Sequence, residues 1–455
     1  MMPAAFEPFL RQAPLAVLAR LTLESLFDSA RLNALFEEHA EDQYHRELFF
    51  AHVVDLLLAV VLGTKRSVNA AFRERSGELG VSAQAVYDKL RRLDLPVAEA
   101  VVHDSACHLG AALIHLGADL PEPLPGYRAR VVDGNLLSKT ERRVGPLRGQ
   151  WSRGLPGRVL AVYEPARDLV THAFLEPDGH ASERSRMEDV LVLAEVGDVW
   201  LLDSGFCTHE VLARFDAARS CFVVRQHGSM KGRPLQERRD AGRAENGQLY
   251  EQQLELDGPN GDWVVRRVTL VLDEPTRDGV REVHVLSNVP AEKATATALA
   301  EAYRRRWSIE GRFYEMAQTL NAEPGTLGYP AAALFAFCLG LAASNAAALV
   351  RAALRAAHGA EKVAEMSREY VAREVRETWP GMMIAVEPVL WSAARPAAPE
   401  ALAKLLRWVA KHVAADRYQK ARRGPKKPPT KKGAYRNGHT LSTQRLLNRR
   451  RPKPP

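Results

Sequence analysis

Cysteine is scarce in this sequence of 455 residues: it occurs four times, at Cys107, Cys207, Cys221 and Cys338. No two of these cysteines form a C-x-x-C pair. A disulfide scaffold needs many cysteines, and a zinc ribbon needs closely spaced pairs, so the sequence argues against both classes. It favours a reducing compartment, and we expect a cytoplasmic protein.

Targeting and membrane-spanning patterns are also sparse. The stretch MMPAAFEPFLRQAPLAVLARL lacks the basic region, apolar core and cleavage site of a signal peptide, so we expect none. One run, Pro330 to Val350, is long enough to cross a bilayer, but it is rich in alanine and stands alone. We predict that it forms a buried helix, apolar on all sides, and that the protein has no membrane partner.

Acidic residues are absent from Arg417 to Pro455, where fourteen Lys or Arg residues give a charge of +14. Because the whole chain carries a formal net charge of +8, residues 1–416 carry −6. The basic character therefore belongs to the tail. We predict that residues 417–455 form a flexible DNA-binding tail, since the body cannot attract a polyanion by net charge. A solvated extension is the alternative.

Residues 1–120 are predicted to be helical, because apolar residues recur every three or four positions, as in LAVLARLTLESLF. Ser67–Arg75 and Ser82–Leu93 are two short helical patterns separated by the turn SGELG, with Ser82 in an N-cap position. The inward positions are Val86, Leu90 and Leu93, and the outward ones are Gln84, Tyr87, Lys89 and Arg91. The spacing is typical of a helix-turn-helix that contacts DNA, and an ordinary helical hairpin is the alternative.

Beyond PEPLP (121–125), strand and helix patterns alternate. Three strands come first (ARVVDGNLL, RVLAVYEP and LVTHAFLEP), and a helix, a strand, a helix and a strand follow up to residue 227. This order predicts a ribonuclease H-like fold with a mixed sheet whose later strands are parallel. Period-two stretches within 228–282 predict an inserted antiparallel β subdomain, and one long helix is expected from Ala291 to Asn321.

The predicted fold class is therefore α/β, a ribonuclease H-like catalytic core with an inserted antiparallel β subdomain and helical regions before and after it. The predicted regions follow the chain in six parts: a helical N-terminal DNA-binding region (1–120), the first part of the core (126–227), the insertion (228–282), the second part of the core (283–350), C-terminal helices (351–416) and the basic tail (417–455).

Three carboxylates fall where this fold can bring them together. Asp133 ends the first strand of the core, Asp203 ends the strand VWLLD, and Glu310 lies within the long helix. Carboxylates this close repel one another and need cations to stay ionised. Two Mg²⁺ ions, with Mn²⁺ as a substitute, would satisfy them and hold both the attacking and the leaving oxygen of a phosphodiester. We predict that these three residues are catalytic and bind metal.

Each carboxylate also has an ordinary interpretation. Asp133-Gly134 after two valines is a hairpin pattern, and Asp203 precedes a helix that it could cap. Glu310 lies four residues after Arg306 and could belong to a solvated ion pair. The joint placement of the three acids on strand, strand and helix favours the catalytic interpretation.

The helix that carries Glu310 is also rich in groups that bind phosphate. Tyr303 and Arg306 share a face with Glu310, so Arg306 can fork onto a phosphate and Tyr303 can donate its hydroxyl. Arg305 and Arg312 flank that face, and we include both among the phosphate-binding candidates. A second basic segment, 139–158, follows the first Asp. For its Trp151 and for Trp263 we expect burial of the indole, and stacking on an extruded base is the alternative.

These motifs resemble the DDE transposases of the insertion-sequence-four family. The stretch Tyr303-x-x-Arg306-x-x-x-Glu310 is similar to that family's tyrosine–arginine–glutamate–lysine signature, and LLDSGFC is similar to its second-Asp pattern. The resemblance covers about residues 125–350. It implies a bacterial, nucleoid-associated enzyme that binds the terminal inverted repeats of an insertion sequence, pairs two DNA ends as a homodimer, and cleaves and transfers strands to target DNA by cut-and-paste.

One position departs from the signature: Ala317 stands where the family has lysine. Arg312 or another residue replaces that lysine, or activity is reduced. Two other functions therefore stay open, a catalytically inactive DNA-binding remnant of a transposase and a ribonuclease H-like nuclease that cuts without joining.

Overall fold

A mixed ten-stranded β-sheet crosses the molecule, and helices cover both of its faces. The computed structural model describes residues 2–41, 43, 48–138, 140–142, 144–257, 262–276, 279–420 and 441–449. Neighbouring residues of one strand, such as Val131 and Val132, enter two different hydrophobic clusters because side chains alternate across a strand. The sheet thus separates a large helical core from a smaller one.

The N-terminal region is helical, as predicted, and begins the larger core. Its helices are α1 (Glu7–Gln12), α2 (Pro14–Leu26), α3 (Ser29–His39), α4 (Phe50–Val61), α5 (Val68–Leu79), α6 (Ala83–Arg91) and α7 (Leu95–Leu116). A short 3-10 helix, Ala4–Phe6, precedes them.

The helix pair α5–α6 matches its prediction in part. Ser67 and Ser82 cap the two helices by accepting hydrogen bonds from the backbone amides of Ala70 and Ala85. Helix α5 runs further than predicted, to a left-handed Gly80. The Lys89 ammonium, expected to face outward, donates to the Leu48 carbonyl (3.0 Å) and lies over the Phe36 ring, so it faces the helical body.

The sheet and its short connecting helices follow the predicted alternation. The elements are β1 (Arg128–Leu136), β2 (Gly154–Leu155), β3 (Arg158–Glu164), β4 (Leu169–Glu176), α8 (Met187–Leu191), β5 (Asp198–Leu202), α9 (His209–Ala217), β6 (Cys221–Arg225), β7 (Arg233–Pro234), β8 (Arg239–Ala244), β9 (Gly247–Leu256), β10 (Trp263–Leu272) and β11 (Glu282–Ser287). Short 3-10 helices lie at Gly145–Leu147, Glu183–Arg186 and Ser204–Phe206.

Strand order places the first Asp strand at the centre of the core part of the sheet. The order is β4-β3-β1-β5-β6-β11-β10-β9-β7, with β8 paired to β9. Strands β4, β3 and β1 form an antiparallel meander, and β1, β5 and β6 are parallel. The predicted mixed sheet with parallel later strands is therefore observed up to β6. The next strand, β11, is antiparallel to β6.

The strands within 228–282 are antiparallel, as expected, but they extend the core sheet. Strand β10 pairs with β11 along six residue pairs and with β9 along ten, so hydrogen bonding is continuous from the core into the insertion. The insertion is therefore an extension of the same sheet.

The helices after the sheet complete the larger core. They are α10 (Ala296–Arg305), α11 (Trp307–Thr319), α12 (Pro330–His358), α13 (Ala360–Ala364), α14 (Arg368–Ala385), α15 (Pro388–Ala394) and α16 (Pro399–Ala410), with a 3-10 helix at Ala415–Tyr418. The single helix predicted for 291–321 is wrong in one respect, because it is interrupted at Arg306 and forms α10 and α11.

Helix α12 contains the long apolar run and is buried, as predicted: 94% of its most apolar window lies inside the protein. Its Asn345 is fully buried, accepts a hydrogen bond from the Val170 amide (2.8 Å), and donates to the Val170 carbonyl (2.8 Å) and the Ser105 hydroxyl (2.8 Å). These bonds satisfy the polar side chain in the core. Helix α7 is also long and apolar enough to span a membrane, with 56% of its window buried.

Part of the tail that we expected to be flexible folds onto the body. Strand β12 (Leu441–Ser442) pairs in parallel with β2, and helix α17 (Thr443–Arg449) follows. Thr443 is buried, and Arg445 donates to the Asp178 carboxylate at 2.6 Å. Residues 421–440 and 450–455 lie outside the described residues. Residues 441–449 are thus a docked segment.

Candidate active site

Two parallel strands bring the two aspartates together. Asp133 lies within β1, three residues before its end at Leu136, so the predictions that it ends the strand or forms a hairpin turn are wrong, and Asp203 directly follows β5. The register of β1 against β5 pairs Val131 with Leu201, and two residues further the same alignment reaches Asp133 and Asp203. Neighbouring strands lie about 4.8 Å apart, so both carboxylates leave the same edge of the sheet side by side. Asp203 stands at the N-cap of a 3-10 helix but makes no capping hydrogen bond with its side chain, so the capping interpretation is wrong.

The interruption between α10 and α11 places one arginine among the acids. The Arg306 guanidinium has Nη1 3.7 Å from Asp133 Oδ2, and Nη2 3.9 Å from Asp203 Oδ1. The same Nη2 donates a hydrogen bond to Glu310 Oε1 at 2.8 Å. Arg306 is 3% exposed and Glu310 is 52% exposed, so the ion pair of the ordinary interpretation forms, with a solvated carboxylate but a buried guanidinium.

Tyr303 completes this group from the preceding turn of helix α10. Its hydroxyl donates to Asp203 Oδ1 at 3.3 Å. Burial and the neighbouring charge of Asp203 raise the pKa of Tyr303 to about 12, so the hydroxyl keeps its proton at neutral pH. We call Asp133, Asp203, Tyr303, Arg306 and Glu310 the strand-end cluster.

Asp133 has the most perturbed carboxyl of the strand-end cluster. Burial raises its pKa to about 7, and the charges of Glu310 and Glu183 act in the same direction. The Arg306 charge and the Gly134 amide, which donates to Asp133 at 3.1 Å, only partly offset this rise. A displaced pKa in a group at a sheet edge is typical of a functional site.

Glu183 is a site neighbour that the sequence analysis missed. Its carboxylate packs against Gly134 and Gly205. A Cβ added at residue 134 would lie 2.1 Å from Glu183 Oε1, and a Cβ added at residue 205 would lie 3.4 Å from Glu183 Oε2. A side chain at residue 134 would therefore displace Glu183. No sequence pattern singled out Glu183, because it lies in a stretch that reads as an ordinary amphipathic helix.

The opposite ends of the same strands carry a balanced group of charges. Asp198, which is 1% exposed, accepts from Arg128 Nε at 2.6 Å and lies 3.3 Å from Arg130 Nε. Glu164, Arg167 and Glu195 complete this strand-start cluster. It contains three acids and three arginines. The strand-end cluster contains three acids and one arginine among its described side chains, so it is acid-rich.

Of the other predicted phosphate-binding residues, only Arg305 has a described side chain, and it is not among the acids. Arg305 is exposed and lines a cavity of about 650 Å³ behind helix α11. The backbones of Arg312 and Ala317 belong to α11, but their side chains lie outside the described part of the structure. Whether Arg312 replaces the missing lysine therefore stays a prediction.

The two tryptophans proposed for base stacking differ sharply. Trp151 is 97% exposed, so the expectation that it is buried is wrong. Exposed Arg142, Arg148 and Arg153 lie in the same segment of the chain, and Arg142 donates to the Trp151 backbone carbonyl. Trp263 is partly buried and packs edge-on against Phe222, as expected for a core side chain.

The donor set suits a hard divalent cation in chemistry, since Asp133, Asp203 and Glu310 offer only carboxylate oxygens. Among the described residues, no group of three His, Cys, Asp or Glu is arranged to hold a metal ion as it stands. The Arg306 guanidinium lies between the three carboxylates. The acid excess fits a metal, but the carboxylates have to move towards one another to bind it.

Sequence and structure comparisons give this geometry a family context. Residues 124–345, just under half of the chain, match the profile of the transposase DDE domain. No curated protein sequence matches the chain. A cryo-EM structure of a piggyBac transposase synaptic complex with hairpin DNA is similar over 88% of this chain and 86% of that chain, with 11% identity and a TM-score of 0.42.

The matched region begins before β1 and ends within α12, so it contains all five members of the strand-end cluster. Enzymes with this domain cleave and join DNA strands and generally use divalent metal ions. Residues 124–345 thus carry a transposase DDE domain, which supports a metal-dependent enzyme of the transposase kind.

Proposed function

We propose that this transposase is of the insertion-sequence-four type, binds the terminal inverted repeats of an insertion sequence, and moves it by cut-and-paste. One observation carries the proposal: Asp133, Asp203 and Glu310, from two strands and a helix, converge on one buried arginine. The meander β4-β3-β1 followed by parallel β5 and β6 supports a ribonuclease H-like core. Two Mg²⁺ ions, or Mn²⁺, are the proposed cofactor.

Divalent ions held by the three carboxylates would activate the attacking oxygen and stabilise the leaving oxygen of the phosphodiester. The chain's own groups bind and orient the DNA. Tyr303 keeps its proton and can donate to a phosphate oxygen, and Arg306 can fork onto one. The exposed Trp151 and its neighbouring arginines form a surface suited to an unpaired base beside a phosphate backbone.

The remaining partners are also proposals. Double-stranded DNA would be engaged twice, as element end and as target, by a homodimer that pairs two ends. The body carries −6 and the last 39 residues carry +14, so the tail is the segment suited to phosphate, even though part of it is docked. The proposed location is the bacterial cytoplasm, associated with the nucleoid.

The test uses the full-length protein, duplex DNA from both sides of its gene, and Mg²⁺ or Mn²⁺. We expect cleavage at the element ends and joining of the new 3′ ends to a target duplex. Asp133→Asn, Asp203→Asn and Glu310→Gln should each reduce cleavage by at least about 10³-fold. Glu188→Gln is the matched control, because Glu188 is an exposed acid on helix α8 that pairs with Arg214.

The other functions predict different results in the same assay. Binding of the ends without cleavage in either metal would favour an inactive remnant, the outcome that the missing lysine at Ala317 makes relevant. Cleavage without joining would favour a nuclease. Cleavage that survives all three carboxylate substitutions would contradict the assignment of the site.

A further inference from the structure

The Arg306 guanidinium lies where the three carboxylates face one another. Its Nη1 and Nη2 atoms are 3.7 Å, 3.9 Å and 2.8 Å from oxygens of Asp133, Asp203 and Glu310, respectively. One cation of the chain thus serves all three acids. This is the position that a cation has to occupy if the acids are to stay ionised together.

Arg306 is held there mainly by charge. The side chain is 3% exposed, yet Nε and Nη1 have no hydrogen-bond partner among the described residues. A guanidinium offers five N–H donors, and a permanently placed buried arginine normally uses most of them. The unused donors point to a second position, or a further ligand, in which they are satisfied.

By contrast, the buried Arg266 is tied down by three hydrogen bonds. Its Nε donates to Glu251 at 2.6 Å, and its Nη1 donates to the carbonyls of Val289 and Ala294 at 2.9 Å each. Arg266 is therefore fixed by oriented acceptors. Arg306 has one such bond, to Glu310, and is correspondingly easier to displace.

The guanidinium and a divalent ion compete for the same oxygens. A metal ion that binds Asp133, Asp203 and Glu310 would lie within a few ångströms of the present guanidinium, and the two positive charges repel strongly at that range. The carboxylates also have to give up Arg306 to approach the metal. Tight metal binding therefore requires the Arg306 side chain to leave.

We propose that Arg306 is an internal counter-ion that competes with divalent metal for Asp133, Asp203 and Glu310, and that a DNA phosphate relieves this competition by binding Arg306. This inference rests on the proposed metal site. A phosphate oxygen can accept from Nε or from Nη1, and a fork through Nε and Nη2 becomes available once Nη2 releases Glu310. Because binding linkage is reciprocal, DNA then strengthens metal binding, and metal strengthens DNA binding.

The experiment measures Mn²⁺ affinity of the full-length protein by the electron paramagnetic resonance signal of free Mn²⁺, with no DNA present. Arg306→Gln removes the competing charge, so we expect it to bind Mn²⁺ at least about 10-fold more tightly than the wild type. Arg304→Gln is the matched control, since Arg304 is an exposed arginine nearby that pairs with Glu245, and its Mn²⁺ affinity should equal the wild-type value.

A second measurement adds duplex DNA that flanks the gene. Wild-type Mn²⁺ affinity should rise at least about 10-fold with DNA, whereas Arg306→Gln should show less than half of that rise on a logarithmic scale. Arg306→Lys keeps the charge and should retain part of the coupling. A thermal unfolding transition in each variant shows that the variant is folded. The comparison of wild-type Mn²⁺ affinity with and without DNA involves no substitution, so it does not depend on the folding of a variant.

Different outcomes would contradict the competition by Arg306 and the proposed metal site on which it rests. Equal or weaker Mn²⁺ binding by Arg306→Gln without DNA would overturn the competition while leaving the metal site intact. An undiminished response to DNA in Arg306→Gln would overturn the phosphate relief. If the wild type binds no Mn²⁺ with or without DNA, and Asp133→Asn behaves identically, the proposed metal site itself is wrong.

Discussion

Strands β1 and β5 carry charged side chains at both ends, and the two ends differ in charge balance. The strand-start cluster pairs Asp198 with Arg128 and Arg130 in close contacts and has as many arginines as acids. Among the described side chains, the strand-end cluster has three acids and one arginine, Arg306. Balanced buried charge maintains a fold, whereas an excess of one sign calls for a ligand. The strand-start cluster therefore has the charge balance of a structural ion cluster, and the strand-end cluster has the acid excess on which the proposed catalytic site rests.

Among the substitutions that compare the two clusters, the largest loss of stability is expected in the strand-start cluster. Asp198→Asn removes the acceptor shared by Arg128 and Arg130 and leaves a buried positive charge, so the free energy of unfolding should fall by about 3 kcal/mol. Asp203→Asn removes one acid from an acid-rich group and should change it by less than about 1 kcal/mol. Urea denaturation of both variants measures the difference. Equal losses would contradict the distinction between the clusters.

The pH dependence of the free energy of unfolding should reveal the raised pKa of the Asp133 carboxyl. Its pKa is about 7 in the folded protein against 3.8 for a free aspartate, so between these values the unfolded chain has released a proton that the folded protein keeps. The stabilising contribution is complete below pH 3.8, falls by about 1.4 kcal/mol per pH unit as pH rises, and is lost above pH 7.

The measurement is the free energy of unfolding at several pH values without metal, for the wild type and for Asp133→Asn, whose residue 133 does not titrate. The difference between the two proteins should change between pH 4 and pH 7 and be constant above. A constant difference over the whole range would show that Asp133 is ionised in the folded protein. Metal binding should show the opposite trend and strengthen up to pH 7, because it needs the ionised carboxylate.

Within the strand-start cluster, a much smaller effect is expected for Arg128→Gln than for Asp198→Asn. Arg128 is 38% exposed, and Arg130 still pairs with Asp198 when it is replaced. We therefore expect a loss of at most about 1 kcal/mol in the free energy of unfolding, reduced further at high salt. A loss as large as that of Asp198→Asn would mean that the cluster depends on Arg128 rather than on the shared carboxylate.

Much of the core could be predicted because its signals are local. The strands around Val131, Leu160 and Leu201 are short apolar runs, and Asp203 directly follows its strand as predicted, whereas Asp133 lies inside β1, which pairing with β3 extends to Leu136. The interruption at Arg306 could not be predicted, because the periodic pattern of 296–319 continues through it. That interruption depends on packing against the sheet edge, which no local window contains.

Other outcomes depended on contacts between distant segments. The insertion joins the core sheet because β10 pairs with β11. The alternating pattern of the insertion predicts that strands form, but it does not predict which strands they pair with. The exposure of Trp151 could not be predicted, because composition does not reveal which side of a loop faces the solvent. Residues 441–449 dock because β2, about 290 residues earlier, offers an unpaired edge.

The sequence by itself determined the order of strands and helices, the burial of helix α12 and the division between an acidic body and a basic tail. These follow from periodicity, apolar content and charge, which are properties of short segments or of simple counts. Only the tertiary structure decided that the three acids share one buried arginine, and that the far ends of the same strands are balanced. Charge balance in a folded protein depends on which side chains packing brings within a few ångströms, and in this chain those side chains are up to 177 positions apart.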